Sequence, residues 1–265
     1  MSASASTRPR ASSRPSLAPR EHGAYVFLGF PLLTGLYLSG ATIAASLFLV
    51  AFVAAFLAHE PIVLLLGHRG PRALREQGQR ARRRIVGLTL IGLGAGMGAF
   101  LLSPLPARIA ASSCAALAAI VLLLLRAGRE KTLVGEAMVV IAFASTGLPL
   151  ALTAAVPMAT AASVASIWVL TFTLETLCVK ATLSRRKEPN RILEGLALLV
   201  PIACALGLIY PLLRGQLFWL TAAPGIAGAI ALGLVRPSPR HLPKVGWVLA
   251  GIDLGTLGLL IHFAA

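Results

Sequence analysis

TIAASLFLVAFVAAFLAHEPIVLLL, residues 42–66, and IVGLTLIGLGAGMGAFLLS, residues 85–103, are two apolar runs that decide the fold. Each run is about as long as the roughly 20 helical residues that cross a hydrocarbon core of about 30 Å. Between them stands GHRGPRALREQGQRARRR, residues 67–84, which contains seven arginines. A segment this basic does not lie in lipid, and Lys and Arg accumulate on the cytoplasmic side. The pattern predicts two transmembrane helices joined by a cytoplasmic loop.

The rest of the chain repeats this alternation. Of the 265 residues, 57% are hydrophobic and only 12% are charged, whereas about a quarter of residues are charged in soluble domains. The sequence therefore predicts an all-α fold, a polytopic transmembrane helical bundle forming a single domain over residues 23–265. Its nine predicted spans lie near 23–38, 42–66, 85–103, 109–125, 132–154, 162–183, 192–213, 217–235 and 246–264.

The cationic residues test the span count and set an orientation. With nine spans, all but Arg108 and Arg214 of the 24 Lys and Arg residues fall on one side of the membrane. Such a bias marks the cytoplasmic side, and one missed span would destroy it. We therefore expect a multi-pass protein of the bacterial cytoplasmic (inner) membrane, with the N-terminus in the cytoplasm and the C-terminus outside.

Residues 1–22 form a tail rich in Ser, Ala, Pro and Arg, which predicts disorder because such a segment buries too little apolar surface to fold. A signal peptide is the alternative interpretation of the N-terminus. A retained first span is favoured, because a second apolar run follows it at once and its removal would spoil the charge alternation.

The net charge of +15 raises the possibility of nucleic-acid binding. No zinc spacing, basic groove with interleaved aromatics or other nucleic-acid module accompanies it, so the expected partners are the lipid bilayer and anionic lipids, with no nucleic acid. Cys114, Cys178 and Cys204 each lie in an apolar run without CxxC spacing. They predict neither a disulfide framework nor a metal site.

Ionisable residues inside spans point to a possible site, because each costs about 2.5 to 3.5 kcal/mol at membrane depth and usually faces protein or water. The pattern predicts a polar cavity open to the cytoplasm, while Glu21, Glu194 and His262 are expected only to cap or reach out from helix ends. The candidate ligand-binding residues are His22, His59, Glu60, Glu136, Glu175, Lys180 and Asp253.

The arginine-rich segment after the second span has two interpretations. It is either a solvated topological anchor that touches anionic lipid or a binding site for a phosphate or diphosphate group. The candidate phosphate or anionic-lipid residues are Arg69, Arg72, Arg82, Arg83 and Arg84. His59 and Glu60, with His68 nearby, do not match the HExxH zinc pattern, so no metal is predicted there.

Several short motifs resemble the YwiC-like family of bacterial membrane proteins. The most specific is Pro19-Arg20-Glu21-His22-Gly23-Ala24-Tyr25, followed by Pro31 and Gly35. Further matches are Ala58-His59-Glu60-Pro61, Trp168 with Val179-Lys180, and Pro243-Lys244-Val245-Gly246. The resemblance covers essentially the whole chain, and it implies a topology rather than a reaction.

A more distant likeness is to the UbiA prenyltransferase superfamily. Val134-Gly135-Glu136, followed by Phe143 and Gly147 and preceded by Arg129 and Lys131, is similar to a Gly-Glu stretch of that superfamily. UbiA enzymes hold Mg²⁺ with paired aspartates, whereas the equivalent stretches here offer Glu60 and Glu76 in one and Glu175 in the other. Mg²⁺ is therefore not supported, and no cofactor is predicted.

Three functions remain open, and whether the protein is an enzyme is not decided. The first is binding of an isoprenoid or other lipid-like ligand, with a degenerate UbiA-like transferase as one form of this function. The second is a proton- or cation-coupled transporter, in which Glu136 and Asp253 would carry the charge. No internal repeat accompanies it, and transporters commonly have one. The third is a membrane scaffold without catalysis.

Overall fold

The computed structural model of the protein describes Leu17, residues 22–185 and residues 190–264, with backbone only for His22 and Ala264. The predicted disordered tail, together with Glu21, Arg186 and Lys187, lies outside the described residues apart from Leu17 and the backbone of His22. Within those ranges the chain is helical and contains no strand. The α-helices are α1 (His22–Leu38), α2 (Ile43–Leu65), α3 (Pro71–Leu102), α4 (Leu105–Arg126), α5 (Leu133–Ala144), α6 (Gly147–Ala151), α7 (Met158–Ser184), α8 (Arg191–Leu213), α9 (Ala223–Val235) and α10 (Leu242–Ala264).

The number of membrane-crossing segments agrees with the prediction. In the described part of the chain, eight helical segments are long and apolar enough to cross a membrane, and Gly23–Leu38 is a shorter apolar helix. The 17 residues of α1 span about 26 Å at 1.5 Å per residue, slightly less than a typical hydrocarbon core. The predicted polytopic helical bundle of about nine spans is confirmed.

Polar caps define several of the helix ends. Thr42, Thr132 and Asn190 each accept a hydrogen bond through the side chain from a backbone N–H in the first turn of α2, α5 and α8. Such caps satisfy amide groups that have no partner inside the helix. The connections themselves are short, so consecutive spans run in opposite directions.

Helix α7 is the centre of the bundle. It packs against α1, α5, α6, α8, α9 and α10 and buries Trp168 and Phe172 completely. Two rings of α1 cover it there, with Phe27 stacked on Phe172 and Phe30 on Trp168. Helices α2 and α3 form a long hairpin at the periphery, and α3 makes few contacts with α4.

Ion pairs join the helix ends on one side of the bundle, which we call the basic end. It contains the α2–α3, α4–α5, α7–α8 and α9–α10 connections. Across it, Lys180 near the end of α7 pairs with Glu136 at the start of α5, and Arg185 pairs with Glu194 at the start of α8. At the opposite end, the hydroxyls of Thr42 and Thr153 hydrogen-bond at 2.6 Å.

The third span begins earlier than predicted. Helix α3 starts at Pro71 instead of residue 85, so most of the arginine-rich segment is helical and not a loop. Its 32 residues extend about 48 Å, well beyond the bilayer core. The extension is amphipathic: Ala81 is buried with Leu64 of α2 and with Leu17. This contact stabilises helix in a segment whose charge suggested a loop.

The fifth predicted span, 132–154, is broken in the structure. Helix α5 ends at Ala144, and the five-residue α6 continues from Gly147 to Ala151. The break lies where the backbone at Gly147 meets Pro31 of α1. A residue with a side chain at position 147 could not approach α1 so closely.

The ninth span begins at Leu242, four residues before the predicted boundary. Asp253 therefore lies in the middle of α10, about 17 Å from its start, whereas the predicted start at residue 246 would place it about 10 Å from that end. The fourth and sixth spans also begin four residues early, at Leu105 and Met158, directly after Pro104 and Pro157. Proline is well suited to the start of a helix, because its missing N–H needs no partner there.

Candidate functional site

Glu175 and Asp253 form a pair of carboxyl groups in the interior of the bundle. Glu175 lies on α7, and Asp253 faces it from α10, close enough for each carboxyl group to act on the charge of the other. Their exposed fractions are 1% and 0%. The sequence named both residues as candidates, and the structure shows that they are neighbours.

The four carboxyl oxygens of this pair have no hydrogen-bond donor among the residues that the structure describes. Two ionised carboxylates are acceptors only, so they cannot hydrogen-bond to each other without a proton. Buried like charges also repel strongly, because the surroundings screen them poorly. The arrangement favours occupation by at least one positive charge, either a proton or a cation.

Among the described residues, no basic side chain forms an ion pair with either carboxyl group. Helix α9 and the 3-10 turn Leu217–Ala222 contain no ionisable residue. The ionisable side chains that the structure describes on α1 are those of Tyr25 and Tyr37. Further along α7, Lys180 binds Glu136 and Arg185 binds Glu194. The nearest bases on α7 are therefore engaged at the basic end.

The sequence analysis did not name two threonines that lie on the same helices as the carboxyl pair. Thr171 lies one helical turn from Glu175, and Thr256 lies three residues after Asp253; each is at most 1% exposed. Neither hydroxyl has a hydrogen-bond partner in the described ranges. The spacing was a usable signal, because residues three or four apart share one face of a helix.

Glu136 and Lys180 form a separate ion pair with a shortest N···O distance of 3.1 Å. Lys180 also donates to the backbone carbonyl of Lys131 at 3.3 Å. Lys180 does not pair with Glu175 on its own helix. It bridges to α5 instead, because a five-residue spacing turns the two side chains away from each other.

Glu60 belongs to a third group, at the turn between α2 and α3. Its carboxylate is 6% exposed and accepts two hydrogen bonds from Arg69, each 2.9 Å long. His59 is half-buried beside it, and the side chain of His22 lies outside the described residues. The six candidates whose side chains are described therefore do not form one contact group but divide between the basic end and the bundle centre.

The sequence analysis did not predict a further ion-pair bridge at the basic end. Arg185 donates to Glu194 at 2.9 Å and to the carbonyl of Pro237 at 3.2 Å, and Arg236 approaches Glu194 at 3.9 Å. Glu194 was expected only to cap α8. Its partners come from α7 and the end of α9, so no local sequence pattern identifies them.

The predicted phosphate or anionic-lipid residues lie on the extension of α3 and just before it. Arg72, Arg82 and Arg83 are exposed and Arg84 is half-buried, while Arg69 is used by Glu60. Arg72 pairs with Glu76 on the same helix. The described residues contain no group of three His, Cys, Asp or Glu side chains placed to hold a metal.

The helices and the ionisable residues at their ends and centre define a polytopic α-helical membrane protein. Residues 18–151, half of the chain, match the family model of the YwiC-like protein. The chain belongs to the YwiC-like family, as its motifs predicted. No curated protein and no solved structure matches it. The family match covers α1 to α6, whereas Glu175 and Asp253 lie beyond it on α7 and α10.

Proposed function

We propose that this protein is an ion-coupled transporter that binds a positive charge between α7 and α10. The observation that carries the proposal is the Glu175 and Asp253 pair, fully buried and without a donor among the described residues. Carboxyl groups at membrane depth are costly, and in transporters such groups relay protons or bind ions. A carboxyl pair that shares one proton loses half of its charge and gains a hydrogen bond.

The ion pairs at the basic end support this function. Lys180 with Glu136 and Arg185 with Glu194 tie α5, α7 and α8 together on that side of the carboxyl pair. An ion that reaches the pair from the basic end must pass between these helices. Breaking and reforming such bridges is one way in which a bundle alternates its access.

The basic end faces the cytoplasm in this proposal, with the N-terminus on the same side and the bacterial inner membrane as the location. The cation bias of the sequence supports it. The coupling ion would then enter from the opposite end and pass Thr171 and Thr256 before it reaches the two acids at the centre.

The proposal is tested by charge movement in proteoliposomes adsorbed to a solid-supported membrane. A rapid step in pH produces a transient current if protons enter a site inside the membrane. We expect this current in the wild type and its loss in the double variant Glu175→Gln with Asp253→Asn. Glu76→Gln is the matched control, because Glu76 is exposed and lies outside the bundle centre. An unchanged current in the double variant would overturn the proposal.

A lipid-like ligand, such as an isoprenoid, is the second candidate function. The supporting observation is the sparse contact between α3 and α4, which are joined by a tight turn at one end. Arg82, Arg83 and Arg84 stand on α3 towards the basic end, where they could hold a phosphate head group. The UbiA resemblance supports this hypothesis. We rank it below ion binding, because ligand binding between α3 and α4 gives no role to the buried carboxyl pair.

Native mass spectrometry in mild detergent separates this candidate from the others. A lipid-like ligand predicts a specific co-purifying lipid that is lost when Arg82, Arg83 and Arg84 are changed to Gln. A scaffold without ligand predicts that neutral variants at Glu136, Glu175 and Asp253 all restore a deletion strain. The transporter predicts that Glu175→Gln and Asp253→Asn fail to do so.

A further inference from the structure

Four fully buried polar side chains lie on the packed helices α7 and α10. Thr171, Glu175, Asp253 and Thr256 are each at most 1% exposed. Their six oxygen atoms are the buried side-chain polar atoms that lack any hydrogen-bond partner in the described part of the chain. Elsewhere the buried hydroxyls are satisfied; Thr34, for example, donates to the carbonyl of Phe30. Natural proteins leave few such atoms unpaired, so this concentration needs an explanation.

The spacing of the four residues places each threonine on the same helix face as the acid of its own helix. Helices α7 and α10 run in opposite directions, and Glu175 faces Asp253 across them. Thr171 lies four residues before Glu175, and Thr256 lies three residues after Asp253. Both threonines therefore lie about one turn from the acids in the same direction, away from the basic end.

Helix α9 closes this space from a third side. A Cβ atom at Gly225 would come within 2.8 Å of the Thr171 hydroxyl oxygen, so Gly225 lies directly against that side chain. The hydroxyl is thereby enclosed by backbone and excluded from lipid. A site walled in this way suits a small ion better than an organic ligand.

A proton alone does not account for the whole cluster. One shared proton satisfies the facing carboxyl oxygens, but it leaves the hydroxyls of Thr171 and Thr256 without a partner. A cation bound by oxygen atoms takes a lone pair from each hydroxyl and from both carboxylates. A monovalent ion also offsets one of the two negative charges, as one shared proton does.

We propose that Thr171, Glu175, Asp253 and Thr256 form a binding site for Na⁺, which competes with protons for the carboxyl pair. The inference rests on the proposed transporter function and names its coupling ion. A monovalent ion fits better than a divalent one: Mg²⁺ retains several waters, and Ca²⁺ takes six to eight oxygen ligands. All six oxygens of these four side chains would have to bind one ion at once to reach even the lower limit for Ca²⁺.

The test uses N,N′-dicyclohexylcarbodiimide, which modifies protonated carboxyl groups in apolar surroundings, on the full chain in mild detergent. Labelling is followed by intact mass and located at Glu175 or Asp253 by peptide mass. We expect Na⁺ at about ten times its Kd to slow labelling about tenfold, by mass action. Choline at equal ionic strength is expected to give no protection.

Variants at the threonines separate the ion site from the carboxyl pair. Thr171→Val and Thr256→Val keep the shape but remove a hydroxyl, so labelling should persist while Na⁺ protection weakens about tenfold or more. Thr182→Val is the matched control, because Thr182 is equally buried on α7 but bonded to the Cys178 carbonyl. Each variant is first checked for a single monodisperse peak by size exclusion and for thermal unfolding close to wild type.

The outcomes distinguish the two proposals. Labelling that Na⁺ does not slow, or that Na⁺ and choline slow equally, overturns the Na⁺ site and leaves proton binding standing. Equal Na⁺ protection in the threonine variants and in Thr182→Val also overturns the site as drawn. Absence of labelling, together with absence of the pH-step current, overturns the proposed function itself.

Discussion

The backbone of α1 at Gly35 lies directly against the backbone of α6 at Gly147. A Cβ atom at Gly35 would overlap the Gly147 carbonyl, and one at Gly147 would overlap the Pro31 carbonyl. Close approach of this kind lets membrane helices gain van der Waals contact that lipid cannot supply. The contact fixes α1 against the broken fifth span and, through α1, against α7 and α10.

Gly35→Ala should destabilise the protein, because the added methyl group cannot be accommodated without moving a backbone. We expect a loss of about 1 to 3 kcal/mol, seen as a lower Tm in mild detergent. Gly29→Ala on the same helix is the control, since a Cβ there meets no atom within 4 Å. Similar Tm values for the two variants would contradict the packing.

Arg69→Gln should destabilise the turn between α2 and α3, because it leaves the Glu60 carboxylate buried without its two charged hydrogen bonds. Bonds to charged groups contribute about 1.5 to 3 kcal/mol, and the 40% exposure of Arg69 places the expected loss at or below the lower value. Arg72→Gln removes the same charge from an exposed pair and should leave the stability nearly unchanged. Thermal unfolding of both variants measures the difference, and equal losses would argue against a structural role for Glu60.

Thr34→Val should weaken the contact between α1 and α7. The Trp168 indole N–H donates to the Thr34 hydroxyl at 3.2 Å, and both residues are fully buried. The isosteric change leaves that N–H without an acceptor, and we expect the free energy of unfolding to fall by about 0.5 to 2 kcal/mol. Thr34→Ser keeps the acceptor and should retain more of the stability, as measured by Tm and by the tryptophan emission spectrum. A Thr34→Val protein as stable as wild type would show that the bond contributes nothing.

Glu136 and Lys180 should show a favourable coupling energy in a double-mutant cycle. The two side chains are 31% and 20% exposed and lie on different helices, so we expect about 0.5 to 1.5 kcal/mol from Glu136→Gln, Lys180→Gln and the double variant. The measurement is the free energy of unfolding of the four proteins in one detergent. A coupling near zero would mean that α5 and α7 are not held by this bridge.

The basic end should be inaccessible from outside the cell. With Cys114, Cys178 and Cys204 replaced by Ala, a membrane-impermeant maleimide applied to intact bacteria should label Ala155→Cys at the opposite end. It should label Arg75→Cys, on the exposed face of α3, only after the membrane is opened. Labelling of Arg75→Cys in intact cells would reverse the proposed orientation.

The sequence by itself determined where the chain crosses the membrane. The transfer of a helix into lipid depends on the sum of its own side chains, so a local window is enough to find spans such as 42–66. Summing the transfer costs residue by residue also explains why α3 was predicted to start at residue 85 and not at Pro71. The arginines after residue 67 carry a high transfer cost, yet the segment folds as helix because Leu64 and Leu17 bury its apolar face.

The sequence also marked Glu175, Asp253 and Lys180 as costly residues, but it could not pair them. Glu175 and Asp253 are 78 positions apart, and every span is apolar around most of its circumference, so periodicity does not show which face meets a neighbour. Only the tertiary structure decided that Lys180 bridges to Glu136, that the two carboxyl groups meet, and that two threonines join them. Helix contacts in lipid depend on shape and hydrogen bonding between distant segments, because the hydrophobic pattern that orients helices in water is missing here.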